Sequence, residues 1–273
     1  MKTAYTCPVC TSPLTITNRQ YICEKNHQFD MAKEGYINLL LANQKNSKDP
    51  GDSKEMITAR RDFLTKGYYD ELTTALVSII SASNSKEPRI MDVGCGDGFF
   101  IHKIKGELPN NSLKPFCLGS DISKSAIKCA AKLDAQIQFA VASSFKLPVQ
   151  SSSLDFIIRM FAPGDDAEVV RCLKEGGRLL TVTPGPHHLY ELREAVYNTP
   201  RLHEEKINLI PGLQQMFQEE ISYTVTIDNP ADLKNLLTMT PYYWNGDQAT
   251  KDTFDALTSL TTQIDFIITV YEK

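Results

Sequence analysis

From residue 84 onward, short apolar runs recur at regular intervals with amphipathic stretches between them. Residues 89–93, 116–121, 137–142, 154–161 and 178–183 read as strands, and 99–105, 124–133 and 165–173 as the helices that separate them. Strands alternating with helices predict an α/β architecture: a parallel sheet with crossover helices, whose ligands bind where strand C-termini meet the following loops. Further along, residues 207–218 read as mixed loop and helix. Residues 223–227 and 264–270 are β-rich and are expected as antiparallel edge strands.

The front of the chain has a different rhythm. Leu14-Thr15-Ile16 and Gln20-Tyr21-Ile22 read as two short strands, and residues 43–55 form a polar, turn-rich linker. Ser53 is placed to cap a helix over 55–64 that stops at Lys66-Gly67. A second helix, from Tyr69 to about Ser81, carries the apolar stripe Leu72, Leu76, Ile79 and Ile80. The organisation expected is a small module over 1–42, a basic linker with helices over 43–83, and a large domain over 84–273.

Composition narrows the class. With 273 residues, 42% apolar and 23% charged, the chain is globular. Its longest apolar stretch, near Ile37 to Ala42, is far short of the roughly 20 residues a membrane span needs, so no membrane partner is expected. The first residues, Met1-Lys2-Thr3-Ala4-Tyr5, lack the apolar core of a secretory signal, which points to a cytoplasmic protein. The net charge of −4 argues against wholesale attraction to nucleic acid, but its distribution is uneven: residues 1–66 carry a net +3 and the remainder −7. Lys45, Lys48, Lys54, Arg60 and Arg61 are the expected phosphate contacts.

Of seven cysteines, three fall before residue 24. Cys7, Cys10, Cys23 and His27 read C-x2-C-x12-C-x3-H. Two residues between thiolates let one tight turn aim both sulfurs at a point, and a second turn adds a sulfur and an imidazole, which completes a tetrahedral zinc site. With no open coordination position or nearby base in the pattern, the zinc reads as structural. Cys95, Cys117, Cys129 and Cys172 lie among small or apolar residues and are expected in or near the core.

At the end of the first strand stands Asp92-Val93-Gly94-Cys95-Gly96-Asp97-Gly98. A nicotinamide fingerprint would need glycine where Phe99 stands; G-x-G-x-G preceded by aspartate is instead the first motif of S-adenosylmethionine (SAM) methyltransferases. Asp121 ends the second strand, where a carboxylate can accept from ribose hydroxyls. After the third strand, where many SAM enzymes hold the adenine amino group with an acidic residue, this chain has Ala142-Ser143-Ser144, so a hydroxyl or backbone group is expected to serve. The fourth strand ends in Phe161-Ala162-Pro163, facing the methyl donor, where Phe161 can stack on a flipped base or fill the core.

These segments, with the run 28–36, Asp49–Ser53, 59–64 and Thr183-Pro184-Gly185-Pro186-His187-His188-Leu189, resemble the bacterial 23S rRNA guanine-N1 methyltransferases of the RlmA type. The resemblance implies a Rossmann-like SAM-dependent methyltransferase fold with an N-terminal zinc-ribbon module for RNA recognition, usually as a homodimer. It implies methylation of N1 of guanine 745 in a domain II hairpin loop of 23S rRNA, with the neighbouring guanine 748 or a small molecule as alternatives. By position it assigns the zinc to Cys7, Cys10, Cys23 and His27, and SAM to Tyr69, Asp92, Gly94, Gly96, Asp97, Gly98, Asp121 and His188. Methyl transfer needs a stacking platform and an acceptor for the N1 proton; Phe161 is the first, and His188 or Asp165 the second. Trp244 either packs or sits by the cleft.

Overall fold

A computed structural model of the chain describes residues 2–44, 50–83, 85–108, 113–194, 200–203, 209–245 and 248–273. The front of the chain forms a four-stranded antiparallel sheet of β1 (Lys2–Thr6), β2 (Pro13–Thr17), β3 (Gln20–Ile22) and β4 (Gln28–Asp30), in that order. Between β2 and β3, Asn18 and Arg19 both adopt positive φ, 49° and 62°, as a two-residue hairpin with the twist of its strands requires.

The second sheet has eight strands. It comprises β5 (Ile37–Asn38), β6 (Arg89–Val93), β7 (Phe116–Asp121), β8 (Gln138–Val141), β9 (Leu154–Met160), β10 (Leu173–Pro184), β11 (Gln214–Ile227) and β12 (Leu260–Glu272). Their order is β11-β12-β10-β9-β6-β7-β8-β5, parallel from β10 to β5 and antiparallel at β12 and β11. Helices α1 (Lys54–Leu64), α2 (Asp70–Ser81), α3 (Phe99–Glu107), α4 (Lys124–Leu133) and α5 (Asp166–Cys172) lie close to their expected positions. Ser53 caps α1 as expected, its hydroxyl accepting from Met56 N.

The C-terminal third differs from the sequence reading. Residues 214–218, expected as loop or helix, begin β11, and β12 lies inside the sheet, so only β11 is the edge on that side. The segment Gln214 to Glu220 is exposed throughout, and no alternation marks it as a strand; its conformation is set by pairing along the whole length of β12. At the opposite edge the two residues of β5 pair in parallel with Ala140 and Val141 of β8.

Successive residues of the buried strands face opposite sides of the sheet and enter two separate cores. Ile90, Cys117, Phe139, Ile158 and Leu180 join α1, α2 and α3. Met91, Leu118, Ala140, Ile157 and Leu179 share the other core with Ala4, Tyr5, Leu14, Tyr21, Cys7 and Cys23. The small front sheet therefore covers one face of the large one. Tyr5 is the pin between them: fully buried, its hydroxyl lies 2.7 Å from Gln138 O and 3.1 Å from Gly119 O. Tyr5→Phe is expected to lower stability by about 1–2 kcal/mol, since a buried carbonyl loses its donor. Urea unfolding measures this, and an unchanged midpoint would rule out the hydroxyl as a strut.

Candidate functional site

The two metal-ligand turns meet as the spacing predicts. Thr11 and Asn26, at φ 62° and 61°, close the turns, their amides donating to Cys7 O and Cys23 O. Cys10 Sγ lies 3.6 Å from Cys23 Sγ, and His27 Nδ1 lies 3.4 Å from Cys23 Sγ and 3.5 Å from Cys7 Sγ. A zinc tetrahedron with Zn–S near 2.3 Å and Zn–N near 2.0 Å has edges of about 3.8 Å between sulfurs and about 3.5 Å between sulfur and nitrogen. The four ligand atoms fit it.

At the far end of β6, the glycine loop does two kinds of work. A Cβ on Gly94 would come within 2.4 Å of Ala162 Cβ, and one on Gly98 within 2.9 Å of Ala130 Cβ, so these two let the loop backbone pack against alanine methyl groups. A Cβ on Gly96, at φ +54°, would meet only Arg60 Nη1 among the described residues, at 3.7 Å, so this glycine has room beside it. Asp121 holds the loop, one carboxylate oxygen accepting from Gly96 N at 2.9 Å and the other from Ser123 N at 2.8 Å. Asp97 is buried, accepting from Phe99 N and from Arg61 Nε at 2.8 Å.

Asp92 is fully buried and, among the described residues, neither of its carboxylate oxygens has a partner. Burial, reinforced by the charges of Asp121 and Asp97, pushes its carboxyl up to about 8. A buried carboxylate without a donor, beside a loop open at Gly96, fits a ligand that brings positive charge. SAM, with its sulfonium and ammonium groups, is such a ligand.

Across the strand ends from this loop lies an aromatic wall. Phe161 directly follows β9 at φ +51° and is 52% exposed, so it is not core. A positive φ is strained for a phenylalanine and marks a backbone held by its surroundings. Its ring lies near-parallel to His188 at 6.4 Å and against Phe266 at 5.9 Å. Tyr69, the buried N-cap of α2, packs edge-on to Phe266 at 4.9 Å, and its hydroxyl is 3.5 Å from His188 Nε2. Tyr69 and His188 thus meet, and His188 adjoins Phe161.

The surroundings of His188 decide its chemistry. Asp265 N donates to Nδ1 at 3.2 Å, which leaves the proton of the neutral ring on Nε2. Burial, with the nearby charges of His203 and Arg193, pushes the imidazole down to about 3. It is neutral at physiological pH with no free lone pair, which speaks against it as acceptor of the N1 proton. His188→Gln is therefore expected to leave the shape of the pH–rate profile between pH 5 and 8 unchanged, at lower amplitude. Loss of a break near pH 6.5 in that variant would restore His188 as a base. Asp165, the other candidate, caps α5, one oxygen accepting from Ala167 N at 2.8 Å.

Three further placements change the sequence reading. Arg60 pairs with Asp52 at 2.5 Å and Arg61 with Asp97 at 2.8 Å, so both turn to the cofactor loop, not to phosphates. Lys54 is exposed, and Lys45 and Lys48 lie outside the described residues. Ser143 is buried, its hydroxyl accepting from Phe145 N, and Trp244 donates to Thr238 O at 2.7 Å while packing on Tyr243.

Sequence reasoning missed Asp265 and Phe266 of β12. Phe266 touches Tyr69, Phe161 and His188, and lies opposite Pro184 in the β10 register. The turn carrying His188 is wrapped around Asp265: His187 N donates to its carboxylate at 2.9 Å, and Gly185 N to its backbone oxygen at 2.8 Å. A Cβ on Gly185 would lie 2.4 Å from that carboxylate, so no side chain fits there. The Pro-Gly-Pro turn was the available signal; its partner, some eighty residues on, had none.

Residues 5–48 match the family model described as "RlmA, N-terminal", a zinc ribbon, and residues 84–237 match that of a methyltransferase domain. The 23S rRNA (guanine(748)-N(1))-methyltransferase of Streptomyces fradiae is 32% identical over 251 residues, spanning 88% of this chain and 86% of that protein. The chain belongs to the RlmA-type 23S rRNA (guanine-N1)-methyltransferase family. YxjB of Bacillus subtilis, provisionally named for that activity, is 29% identical over 97% of this chain and 96% of its own. A malonyl-[acyl-carrier protein] O-methyltransferase of Hahella chejuensis is 34% identical, but over 43% of this chain and 44% of its own. As a family member the chain is a SAM-dependent enzyme with one structural zinc. Among the described residues, no helix is long and apolar enough to cross a membrane.

Proposed function

We propose that this enzyme methylates N1 of guanine 748 in a domain II hairpin loop of 23S rRNA, acting in the cytoplasm as a homodimer. The position follows the name of the Streptomyces relative in preference to guanine 745. The observation that carries the RNA reading is Phe161: an exposed, backbone-strained aromatic whose neighbour Ala162 touches the glycine loop. The acyl-carrier relative matches less than half of the chain.

When bound, SAM would supply an electrophilic methyl group, and Asp92, Asp97, Asp121, the loop Gly94–Gly98, Tyr69 and His188 are the residues that would hold it. Phe161 stacks the extruded base and presents its N1 edge in line. An unpaired loop base reaches this position at small cost, because no base pair must open. Asp165 accepts the N1 proton, while neutral His188 positions the Phe161 ring. Cys7, Cys10, Cys23 and His27 hold the zinc.

The test is tritiated SAM on protein-free 23S rRNA, followed by primer extension across the domain II hairpins. N1 methylation blocks Watson–Crick pairing, so a single SAM-dependent stop at guanine 748 is expected, and a stop at 745 would move the target. No stop, with SAM bound, would overturn the substrate. Asp165→Asn can still cap α5, and should slow methylation at saturating SAM at least about tenfold; an unchanged rate would remove Asp165 as acceptor.

A further inference from the structure

We propose that Phe145 is a second stacking platform, for the unpaired base next to the target in the RNA loop. The inference deepens the rRNA reading and rests on it. Phe145 follows β8 as Phe161 follows β9, so both stand on loops at the C-terminal ends of parallel strands. Both rings are mostly in water, Phe145 at 57% exposed and Phe161 at 52%. A large apolar side chain exposed on a loop beside a reaction site is a surface awaiting a partner.

The two loops are tied to each other. Asp165 N donates to Ser144 O at 3.2 Å, and the Cα hydrogen side of Gly164 lies against Ser144, where a Cβ would stand 3.3 Å from its carbonyl oxygen. Phe145 is itself fixed from behind, its amide donating to the buried Ser143 hydroxyl at 3.2 Å. The rings are therefore carried on one connected rim and not on independent loops.

The charges on that rim suit a nucleic-acid strand. Lys146, next to Phe145, is exposed. Of the acidic groups nearby, Asp166 is paired with Arg159 at 2.8 Å and Glu168 with Arg171 at 2.7 Å, while Asp165 caps α5. An exposed aromatic beside a lysine can grip single-stranded RNA by stacking and by phosphate attraction. One aromatic holds the base that reacts; a second one fixes the strand that delivers it, which sets how far the target can slide.

The test compares wild type with Phe145→Ala, Phe145→Leu and Phe145→Trp, all zinc-loaded and full length, for binding to a fluorescein-labelled, protein-free transcript of domain II. SAM affinity and methylation are measured on the same proteins. Loss of one base stack predicts about tenfold to a hundredfold weaker RNA binding for Phe145→Ala. Phe145→Leu should be as weak and Phe145→Trp near wild type, with SAM affinity unchanged throughout. Wild-type affinity in Phe145→Ala or Phe145→Leu would overturn the platform. A parallel loss of SAM affinity would also overturn it, placing Phe145 against the adenine instead. The substrate assignment fails separately: if wild type binds the transcript without methylating it, the rRNA reading falls, while the variant series still decides the platform. Failure of wild type to bind the transcript overturns both.

Discussion

A Cys23→Ser protein is expected to lose its zinc and to melt on the order of 10 °C lower, in a transition that includes the methyltransferase sheet. The front sheet is too small to hold itself, with strands of five, five, three and three residues. Its interior is Leu14, Tyr21, Cys7 and Cys23, and these belong to the same buried cluster as Met91, Leu118 and Ile157 of the large sheet. Once the metal no longer joins the two turns, Ala4 and Tyr5 lose the fold that presses them onto the sheet, and the part of the β7 and β8 face that they cover is opened to water. At about 25 cal/mol per Å², losing such a cover outweighs the several kcal/mol of marginal stability a domain keeps in reserve. Metal analysis with calorimetry is the measurement, and Cys129→Ser, outside both clusters, is the control. Loss of zinc with an unchanged melting transition would mean that the two sheets are energetically separate.

SAM affinity is expected to fall about fiftyfold between pH 8 and pH 6, about fivefold over the first pH unit and close to tenfold over the second. In the free protein the carboxyl of Asp92 is pushed up to about 8 by burial, so near pH 7 it is mostly protonated. A cationic ligand favours the ionised form, so binding below pH 8 must release a proton. The sign for folding is opposite. A carboxyl raised from its ordinary value near 3.9 to about 8 binds its proton more tightly when folded, so ligand-free stability is highest at the acid end of that window. It then falls by about 1.4 kcal/mol per pH unit up to pH 8, and is flat above. Asp92→Asn should abolish both dependences, weakening SAM binding while stabilising the free protein above pH 7. Isothermal titration at three pH values, with urea unfolding, checks the pair; a pH-independent wild-type affinity would remove Asp92 from the cofactor site.

The parts that were legible in the sequence are those whose signal is local. The central strands are continuous apolar runs because both faces are covered, α1 announces itself by its serine cap, and the zinc ligands are fixed by spacing. Where conformation or role is set by distant partners, the sequence is silent or misleading. Gln214–Gln218 reads as mixed loop and helix and is a strand because β12 runs beside it. Arg60 and Arg61 look like a phosphate-binding pair, but the fold brings Asp52 and Asp97 to them. A two-residue strand such as β5 has no pattern to detect, and Asp265 and Phe266 sit in a stretch whose only visible property is β-propensity.

The lock between Gly185 and Asp265 restricts the routes by which this sequence can drift. A side chain at 185 collides with the Asp265 carboxylate, so that position stays closed while Asp265 is present. Shortening Asp265 first withdraws the acceptor that holds His187 N and loosens the turn bearing His188. Neither order of change avoids an intermediate with a displaced or slackened His188. A side chain at 185 thus has to wait for a change at 265.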